Sequence, residues 1–353
     1  MKKLLIIQLD QFGFLTDTLK WCEILSKEYQ IDIVCYDSNR PKVSMSNVQV
    51  HYVALSKNRI LHAIRYILFA LMHMLFFQGK IIVIAFPNCN IFKRILPWKK
   101  MHLDIRTVSV ARDDEQRVLF DSQLYNYSKQ YDSVSIISNA AAQRLKLESP
   151  LILPLGADVI SNTSKCYSDI KLLYVGTLKG RDMHKTIEGA AIFHQKHPDV
   201  QFCYDIIGDG PGLEKEKMSD EYRDTIKKMN LENYVHIHGS KPYSELADFF
   251  DKSNYGVSFV PLTSWYDVQP PTKTYEYAMS GLYVIGTRTT CNREIITHDN
   301  GILIEDSAES FASALECILF FNSSLSEAKI RSSLADYQWG CIVESYLKPI
   351  LER

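Results

Sequence analysis

The feature that most constrains the fold is a regular alternation of short apolar runs with longer segments of helical periodicity. Short apolar runs are typical of strands that are buried on both faces, and the intervening segments are long enough for crossover helices. We therefore predict an α/β fold built on parallel sheets. The predicted strands are 4–9, 31–36, 49–54, 81–86, 102–108, 134–138, 171–175, 201–207, 235–238, 255–260, 283–286 and 301–304, and the clearest predicted helices are 17–29, 114–131 and 339–351.

The alternation is interrupted once, near residues 154–168, where Pro, Gly, Asn, Ser and Thr are concentrated as in a linker. A chain of 353 residues is long enough for about two domains, each with its own core. We predict domains at 1–160 and 161–336, and a helix over 337–353 that returns to the first domain. Two doubly wound, Rossmann-like domains in tandem would face a cleft, and ligands in such sheets bind beyond the carboxyl ends of the strands.

Composition narrows the class of protein. The net charge of −1 and the absence of a dense Lys/Arg block argue against nucleic acid as a partner. The eight cysteines include no Cys-x-x-Cys pair, so they are predicted to be reduced thiols rather than zinc or redox ligands. The first apolar run is too short for the core of a signal peptide, and we expect a cytoplasmic protein.

Residues 270–287 carry the clearest functional signal. A Pro pair precedes a predicted helix whose first turn contains Lys273 and Glu276, and Gly281 ends that helix before an apolar strand. Free amides at a helix start, together with the Lys273 ammonium, suit a diphosphate, and the Glu276 carboxylate suits the hydroxyl groups of a ribose. The segment therefore predicts a site for a nucleoside diphosphate.

Two further loops in the second half follow predicted strands. Residues 176–181 combine glycines with Lys179 and Arg181, which suits phosphate oxygens but is also typical of an ordinary solvated loop. Residues 208–212 resemble a dinucleotide fingerprint, but Leu213 stands at the third glycine position and no ribose-binding acid follows the next strand. An NAD-dependent oxidoreductase is therefore a less favoured alternative.

In this order and spacing, four segments resemble the donor-binding domain of retaining glycosyltransferases of family four: residues 173–178, 206–211, 235–239 and 271–287. The resemblance continues through 293–304 and covers roughly the C-terminal half. It implies a GT-B fold, in which two Rossmann-like domains face an interdomain cleft. It also implies a nucleoside-diphosphate sugar, with UDP or GDP, as donor substrate.

The resemblance implies roles for the residues that match its motifs. Glu276 corresponds to the glutamate that binds the donor ribose, and Arg181 corresponds to a phosphate-binding cation, with Lys179 as the alternative. Lys273 belongs to the diphosphate turn, and we count it with Arg181 as catalytic. Val268 stands where the family often has a second acid. The other predicted donor-binding residues are Gly13, Gly176, Thr177, Gly208, His238, Gly239, Thr272, Thr274 and Tyr275.

No metal cofactor is expected. The chain has no Asp-x-Asp sequence of the kind that holds a diphosphate through a divalent cation. His236 and His238 lie on one face of a predicted strand, but without a third ligand nearby they are interpreted as packed or edge histidines.

The first domain supplies the acceptor side in enzymes of this family. Asp104 and Arg106, at the end of the strand 102–108, are predicted to orient the acceptor or the leaving phosphate as catalytic residues. A salt bridge between the two within the domain is the alternative. The run 112–115 fits either a lining of the cleft or the acidic cap of a helix, and we favour the cap.

Residues 58–80 form a strongly apolar segment with basic residues at its N-terminal side. Its uninterrupted part is shorter than the roughly 20 residues that a spanning helix needs. It is predicted either to lie in the headgroup region of a membrane, with the protein at its inner face, or to be a buried helix of the first sheet.

The resemblance and this segment together predict a retaining hexosyltransferase that elongates a bacterial surface polysaccharide, such as capsule or O-antigen, on a glycan or lipid-linked glycan acceptor. A non-catalytic GT-B relative that acts as a binding or assembly subunit is the alternative, which the substitution at Val268 keeps open.

Overall fold

The computed structural model describes residues 1–111, 113–210 and 215–353. The chain forms two compact units: residues 1–156 together with 339–353 make the first, and residues 157–338 make the second. The first stretch of the first unit ends at residue 156, four residues before the predicted boundary at 160. The second unit ends at residue 338, two residues after the predicted boundary at 336.

Within the described residues, the first unit contains a sheet of seven parallel strands in the order β3-β2-β1-β4-β5-β6-β7. Apolar side chains of β1 point to both faces of the sheet and are fully buried. The strands are β1 Lys2–Ile7, β2 Tyr29–Asp37, β3 Val48–Ala54, β4 Lys80–Ile84, β5 His102–Ile105, β6 Ser133–Ile136 and β7 Leu151–Ile152.

Helices cover both faces of this sheet, as the parallel pairing requires. They are α1 Thr16–Leu25, α2 Arg59–Phe76, α3 Ile91–Ile95, α4 Asp114–Ser128 and α5 Asn139–Arg144. The carboxyl-terminal segment also belongs to this unit and forms α13 Trp339–Ile342, a π-helical turn Val343–Leu347 and α14 Lys348–Glu352. The Trp339 ring lies against Gly156, where an added Cβ would come within 2.4 Å of the ring.

The second unit contains a six-stranded parallel sheet, again counted over the described residues, in the order β10-β9-β8-β11-β12-β13. Its strands are β8 Ile170–Val175, β9 Phe202–Ile207, β10 Val235–Gly239, β11 Tyr255–Ser258, β12 Tyr283–Thr287 and β13 Gly301–Ile304. Its helices are α6 His184–Lys196, α7 Lys215–Lys228, α8 Leu246–Lys252, α9 Thr272–Met279, α10 Thr290–Ile295, α11 Ala308–Phe321 and α12 Glu327–Ser332.

The predicted α/β class with two parallel sheets is confirmed. Differences occur at the ends of elements. The predicted strand 102–108 ends at Ile105, and the predicted helix 17–29 ends at Leu25 because Tyr29 already pairs with Lys2 as the first residue of β2. Strand β7 was not expected, since its two residues are too few to give a pattern.

Helix α2 is buried on one side only. Tyr66, Ala70 and Met74 face the sheet and are buried, and the Tyr66 hydroxyl donates to the Gln8 carbonyl at 2.6 Å. The helix therefore covers the first sheet with one side, as the buried-helix alternative expects, while its opposite side is exposed. By length and composition alone, α2 is the one helix among the described residues that meets the requirement for a membrane span. Its 18 residues extend about 27 Å, somewhat less than the roughly 30 Å of a bilayer core.

Candidate functional site

Three glycines come together at the carboxyl edge of the second sheet. The Gly176 amide donates to Ile207 at 2.9 Å and the Gly208 amide donates to Gly239 at 3.0 Å, so the backbones after β8 and β9 run close together. A Cβ on Gly208 would lie 1.7 Å from the Gly176 carbonyl oxygen, and both residues have positive φ angles, +152° and +147°. Only glycine permits this approach, so no side chain projects from Gly176 and Gly208 at the strand ends. We call this bare backbone surface the glycine floor.

The Lys273 ammonium lies over this floor. Its Nζ atom is buried and has no hydrogen-bond partner among the described residues. The nitrogen is 3.7 Å from the centroid of the Tyr174 ring and 3.0 Å from where a Cβ of Gly176 would be. A cation over an aromatic face gains some stabilisation, but an ammonium group without acceptors is unfavourable when buried. An anion next to Lys273 would supply the missing acceptors.

The protonation of Lys273 reflects these surroundings. Removal of the ammonium from water lowers the pKa of Lys273 well below its ordinary value, and the positive charge of Arg181 acts in the same direction. The carboxylate of Glu276 opposes both effects. Two cations and one carboxylate are thus near enough to influence one another electrostatically at the start of α9.

Arg181 is the second cation of the site. Its guanidinium carbon lies 4.3 Å from the centroid of the Tyr266 ring, and Nε and Nη1 have no hydrogen-bond partner within the described part of the chain. Lys179, by contrast, is exposed. Of the two predicted phosphate ligands, the geometry therefore favours Arg181. Thr177 is also exposed, and its carbonyl accepts a bond from the Tyr174 hydroxyl at 2.7 Å.

The residues that open α9 have different surroundings. Pro271 precedes the helix, and the amides of Thr272 and Lys273 stand at its open end. Thr274 is fully buried: its amide donates to Pro271, and its hydroxyl lies 2.7 Å from that of Ser258.

The same hydroxyl of Thr274 donates to Asn292 at 3.1 Å, so this side chain fixes the helix and does not face a ligand. The Tyr275 ring packs against Tyr337 and is buried, which leaves only its backbone for the predicted role. The Glu276 side chain is half-buried one turn into the helix.

His238 and Gly239 lie at the end of β10. The His238 ring nitrogen Nε2 is 2.6 Å from Asp205, and the ring packs edge-on against Phe249. Gly239 offers its carbonyl to Gly208, as described above. Among the described residues no three His, Cys, Asp or Glu side chains are grouped so as to hold a metal ion.

In the loop before α9, Val268 stands where the sequence resemblance implies a second acid, and the neighbouring carboxylate of Asp267 has other partners. Asp267 is committed to capping α10, since its two oxygens accept bonds from the amide and the hydroxyl of Thr290 at 2.8 and 2.6 Å. Val268 follows it. Leu213, which argues against the dinucleotide fingerprint, lies outside the described residues.

In the first unit, Asp104 and Arg106 belong to an internal network. Arg106 donates to Leu153 at 2.7 Å, pairs with Asp17 and lies 3.7 Å from Asp104, while Asp104 also accepts a bond from Ser135. Burial is the largest influence on Asp104 and raises its pKa to about 6, against the effects of Arg106 and Ser135.

Asp104 has no exposed surface and Arg106 has very little. This arrangement corresponds to the internal salt bridge that the sequence left as an alternative. A catalytic role for either side chain stays a prediction, and in this structure Arg106 joins the end of β5 to Asp17 of α1, while Asp104 is bonded to Ser135 of β6.

Two other predicted features of the first unit have structural explanations. Gly13 has a φ angle of +96°, and a Cβ there would come within 2.6 Å of Val43, so packing alone requires a glycine. Asp113 accepts a bond from Gln116 at 2.8 Å and caps α4, as expected for the acidic run. Arg112 lies outside the described residues.

Sequence reasoning missed Tyr174. This residue is buried in β8, where its ring faces Lys273 and its hydroxyl holds the loop that leads to Arg181. A tyrosine within an otherwise apolar strand was the available signal, because a buried hydroxyl requires a partner.

Solved structures share this architecture along the whole chain. Sucrose-phosphate synthase from Thermosynechococcus elongatus has a TM-score of 0.75 at 15% identity and covers 100% of this chain and 98% of its own. HepE from Anabaena, solved with UDP and glucose, has a TM-score of 0.74 at 11% identity, with 100% of both chains covered. WaaG, a glycosyltransferase involved in lipopolysaccharide biosynthesis, has a TM-score of 0.66 at 13% identity, with 99% of both chains covered. No curated protein matches the sequence significantly.

These neighbours are GT-B glycosyltransferases, and this chain has the same fold class. Residues 169–320, which lie within the second unit, match the sequence profile of the family described as Glycosyl transferases group 1. The protein is thus an enzyme that transfers glycosyl groups.

Proposed function

We propose that this enzyme takes a hexosyl group from UDP-sugar or GDP-sugar and transfers it, with retention of anomeric configuration, to a growing surface polysaccharide carried on lipid. The observation that carries the donor assignment is the Lys273 ammonium, which is buried without a hydrogen-bond partner among the described residues and lies at the start of α9. HepE, which shares the fold, was solved with UDP and glucose, which supports this choice of donor.

In this proposal Lys273 and Arg181 hold the diphosphate, and the amides of Thr272 and Lys273 add the positive end of the α9 dipole. Cleavage of the bond to the anomeric carbon transfers negative charge to the leaving phosphate. Fixed cations and amides interact more strongly with that charge than with the intact donor, and the difference lowers the barrier. The two side-chain cations supply the charge neutralisation, so we propose a reaction that needs no metal cofactor.

Glu276 is proposed to accept hydrogen bonds from the ribose hydroxyls, because its carboxylate lies one helical turn beyond the diphosphate turn. The glycine floor of Gly176 and Gly208 would admit the nucleotide close to the backbone. Retention, and membership of family four, rest on the sequence motifs around these residues.

We further propose that the chain acts at the inner face of the cell membrane, in capsule or O-antigen assembly. Three findings support this location: the apolar α2 of the first unit, its exposed side, and the fold shared with WaaG, which takes part in lipopolysaccharide biosynthesis.

The test is binding of UDP and GDP to the protein in the presence of a chelator. Glu276→Ala is expected to weaken the binding of the preferred nucleotide more than tenfold without a change in the melting temperature. Glu309→Ala, which removes an exposed carboxylate at the start of α11, is the matched control and should bind normally. Normal binding by a folded Glu276→Ala variant would remove this residue from the site.

A binding subunit without turnover is the second candidate, and the loop before α9 favours it. Val268 has no carboxylate, and Asp267 is used to cap α10, so the loop offers the sugar no acidic contact from these two positions. Donor binding without release of sugar to water or to lipid-linked glycans would favour this candidate over catalysis.

A further inference from the structure

The exposed side of α2 is an apolar feature of the first unit that its fold leaves unexplained. Five side chains spaced four residues apart form one stripe that slants across the exposed side of the helix by about 40° per step: Ile60, Ile64, Leu68, Met72 and Phe76. All are exposed, by 47% at Ile64 and by 78% at Phe76. Leu61 and Leu75, which are also exposed, lie beside the stripe. Soluble proteins rarely expose a continuous apolar stripe of this length unless it contacts a partner or a membrane.

The stripe continues beyond the helix. Lys99 donates from its Nζ atom to the Phe77 carbonyl at 2.9 Å, so the segment after α3 lies at the carboxyl end of α2. Trp98, beside Lys99, is 67% exposed. An indole with an apolar body and a polar edge is typical of membrane interfaces.

The stretch of chain that contains the stripe carries charge of one sign. Residues 38–103 contain no Asp or Glu, although the whole chain has a net charge of −1 and 41 acidic residues. The same stretch contains ten cations: Arg40, Lys42, Lys57, Arg59, Arg65, Lys80, Lys93, Arg94, Lys99 and Lys100. The remainder of the chain accordingly has 30 basic and 41 acidic residues, a net charge of −11.

Several of these cations are available to a partner. Lys57, Arg59 and Arg65 lie at the start and along the first half of α2, and all three are exposed. Lys80 and Lys100 are exposed near its other end. No carboxylate among the described residues forms an ion pair with any of these five.

We propose that the outer side of α2, with Trp98 and these cations, binds the surface of an anionic phospholipid bilayer. Apolar side chains would enter the boundary between headgroups and acyl chains, while the cations contact lipid phosphates. The other side of α2 stays on the sheet through Tyr66, Ala70 and Met74, so the helix lies on the bilayer and does not cross it.

A bilayer, rather than a protein partner, is the occupant that the charge favours. The stretch of chain that carries the stripe has no acid and has basic residues at both ends of the stripe, which complements a continuous sheet of phosphate groups. Asp32 of β2, which lines the same recess as Met72 and Phe76, is hydrogen-bonded to His51 at 2.8 Å. A second copy of this chain would bring an equally basic surface against the first, and like charges would oppose that contact.

The direction of α2 determines how the first unit would lie. The helix leads from the end of β3 back to the start of β4 and so runs antiparallel to the strands. A membrane along its outer side would be parallel to the strand axes. The carboxyl ends of the strands would therefore remain uncovered.

This inference rests on the proposed location at the membrane, but lipid binding is measured without donor or acceptor. A failure to bind lipid and a failure to transfer a glycosyl group are therefore separate results. The experiment is co-sedimentation of the full chain with vesicles of phosphatidylcholine alone or of phosphatidylcholine mixed with phosphatidylglycerol. Binding is expected to the mixed vesicles and to fall steeply with added salt.

Two groups of substitutions test the surface. Ile64→Gln, Leu68→Gln and Met72→Gln together should reduce partitioning into mixed vesicles at least tenfold. Lys57→Gln, Arg59→Gln and Arg65→Gln together should do the same at low salt, and should remove most of the salt dependence.

The matched control replaces Val118 and Leu119 with Gln, since both are exposed apolar residues on α4 of the same unit. The control should bind vesicles as the unchanged chain does, and circular dichroism and the melting temperature show that each variant is folded. Three outcomes would overturn the proposal: unchanged binding in the apolar variant, equal loss in the control, or lipid-free dimers that the apolar substitutions dissociate.

Discussion

At the scale of single residues, Lys273 shows how a fold can keep a charged group ready for a ligand. Its ammonium is supported by the Tyr174 ring but has no hydrogen-bond partner among the described residues, and burial and Arg181 lower its pKa. Free protein therefore holds this proton less tightly than an exposed lysine does. A bound diphosphate would reverse the balance, because its negative charge favours the protonated amine.

This reversal gives a testable pH dependence. Binding of the nucleoside diphosphate should take up protons in the window between the lowered pKa of Lys273 in the free protein and its higher pKa in the complex. Affinity should fall as the pH rises through that window, by up to about tenfold per pH unit. The proton uptake is measured by calorimetry in two buffers of different ionisation enthalpy. The measurement is made above about pH 7, where the terminal phosphate is already ionised.

Lys273→Ala should abolish the proton uptake and weaken binding at least tenfold, whereas Lys179→Ala should change affinity less than threefold. Lys179 is exposed, so its charge is screened by water and salt. Proton uptake that persists in a folded Lys273→Ala variant would assign the titration to another group.

At the scale of elements, the close approach of β8 and β9 depends on Gly208. A Cβ at this position would overlap the Gly176 carbonyl, so Gly208→Ala must separate the two strand ends. We expect a loss of about 2–4 kcal/mol in the free energy of unfolding, together with weaker nucleotide binding.

Gly340→Ala is the matched substitution, since a Cβ there meets no atom within 4 Å. It lies in α13, where alanine is the better helix former, and should be neutral or stabilising by up to about 1 kcal/mol. Chemical denaturation of both variants makes the comparison. Equal stability of the two would contradict the steric account.

Elements with strong local patterns were predictable from sequence, and long-range partners were not. The predicted strand 201–207 corresponds to β9, because the apolar residues Phe202, Tyr204, Ile206 and Ile207 give a short buried run in spite of Asp205. The turn before α9 and its Gly281 end were equally local signals. The partner of Arg106 was not visible, since Asp17 lies 89 residues away in the sequence.

The two sides of α2 show the same limit. Helical periodicity indicates which residues share a side, but every side of this helix is largely apolar. Only the packing of Tyr66 on the sheet shows which side is buried.

At the scale of the whole molecule, the first unit is made from two distant parts of the chain. Trp339, Ile342, Val343 and Leu347 are buried in this unit, and the Trp339 ring lies against Gly156. Burial of large apolar side chains contributes about 1.5–3 kcal/mol each, which together is comparable to the net stability of a domain.

Removal of residues 339–353 should therefore unfold the first unit while the second stays folded. Hydrogen exchange followed by mass spectrometry should show loss of protection in β1 to β6 and native protection in β8 to β13. Exchange in the first sheet that matches the full chain would contradict this dependence. Lys348→Ala is the control, because its ion pairs with the exposed carboxylates of Glu28 and Glu344, at 2.6 and 2.7 Å, lie at the surface and contribute little.

The same arrangement sets an order of events during translation. Residues 157–338 are contiguous, so the second unit can fold from one stretch of chain. The first unit is synthesised mostly before it but still lacks the segment whose Trp339 ring packs against Gly156. The first unit therefore stays unfinished until residues 339–353, which follow the whole of the second unit in the sequence, have been made. Each newly made chain would thus expose an incompletely folded first unit to chaperones and proteases.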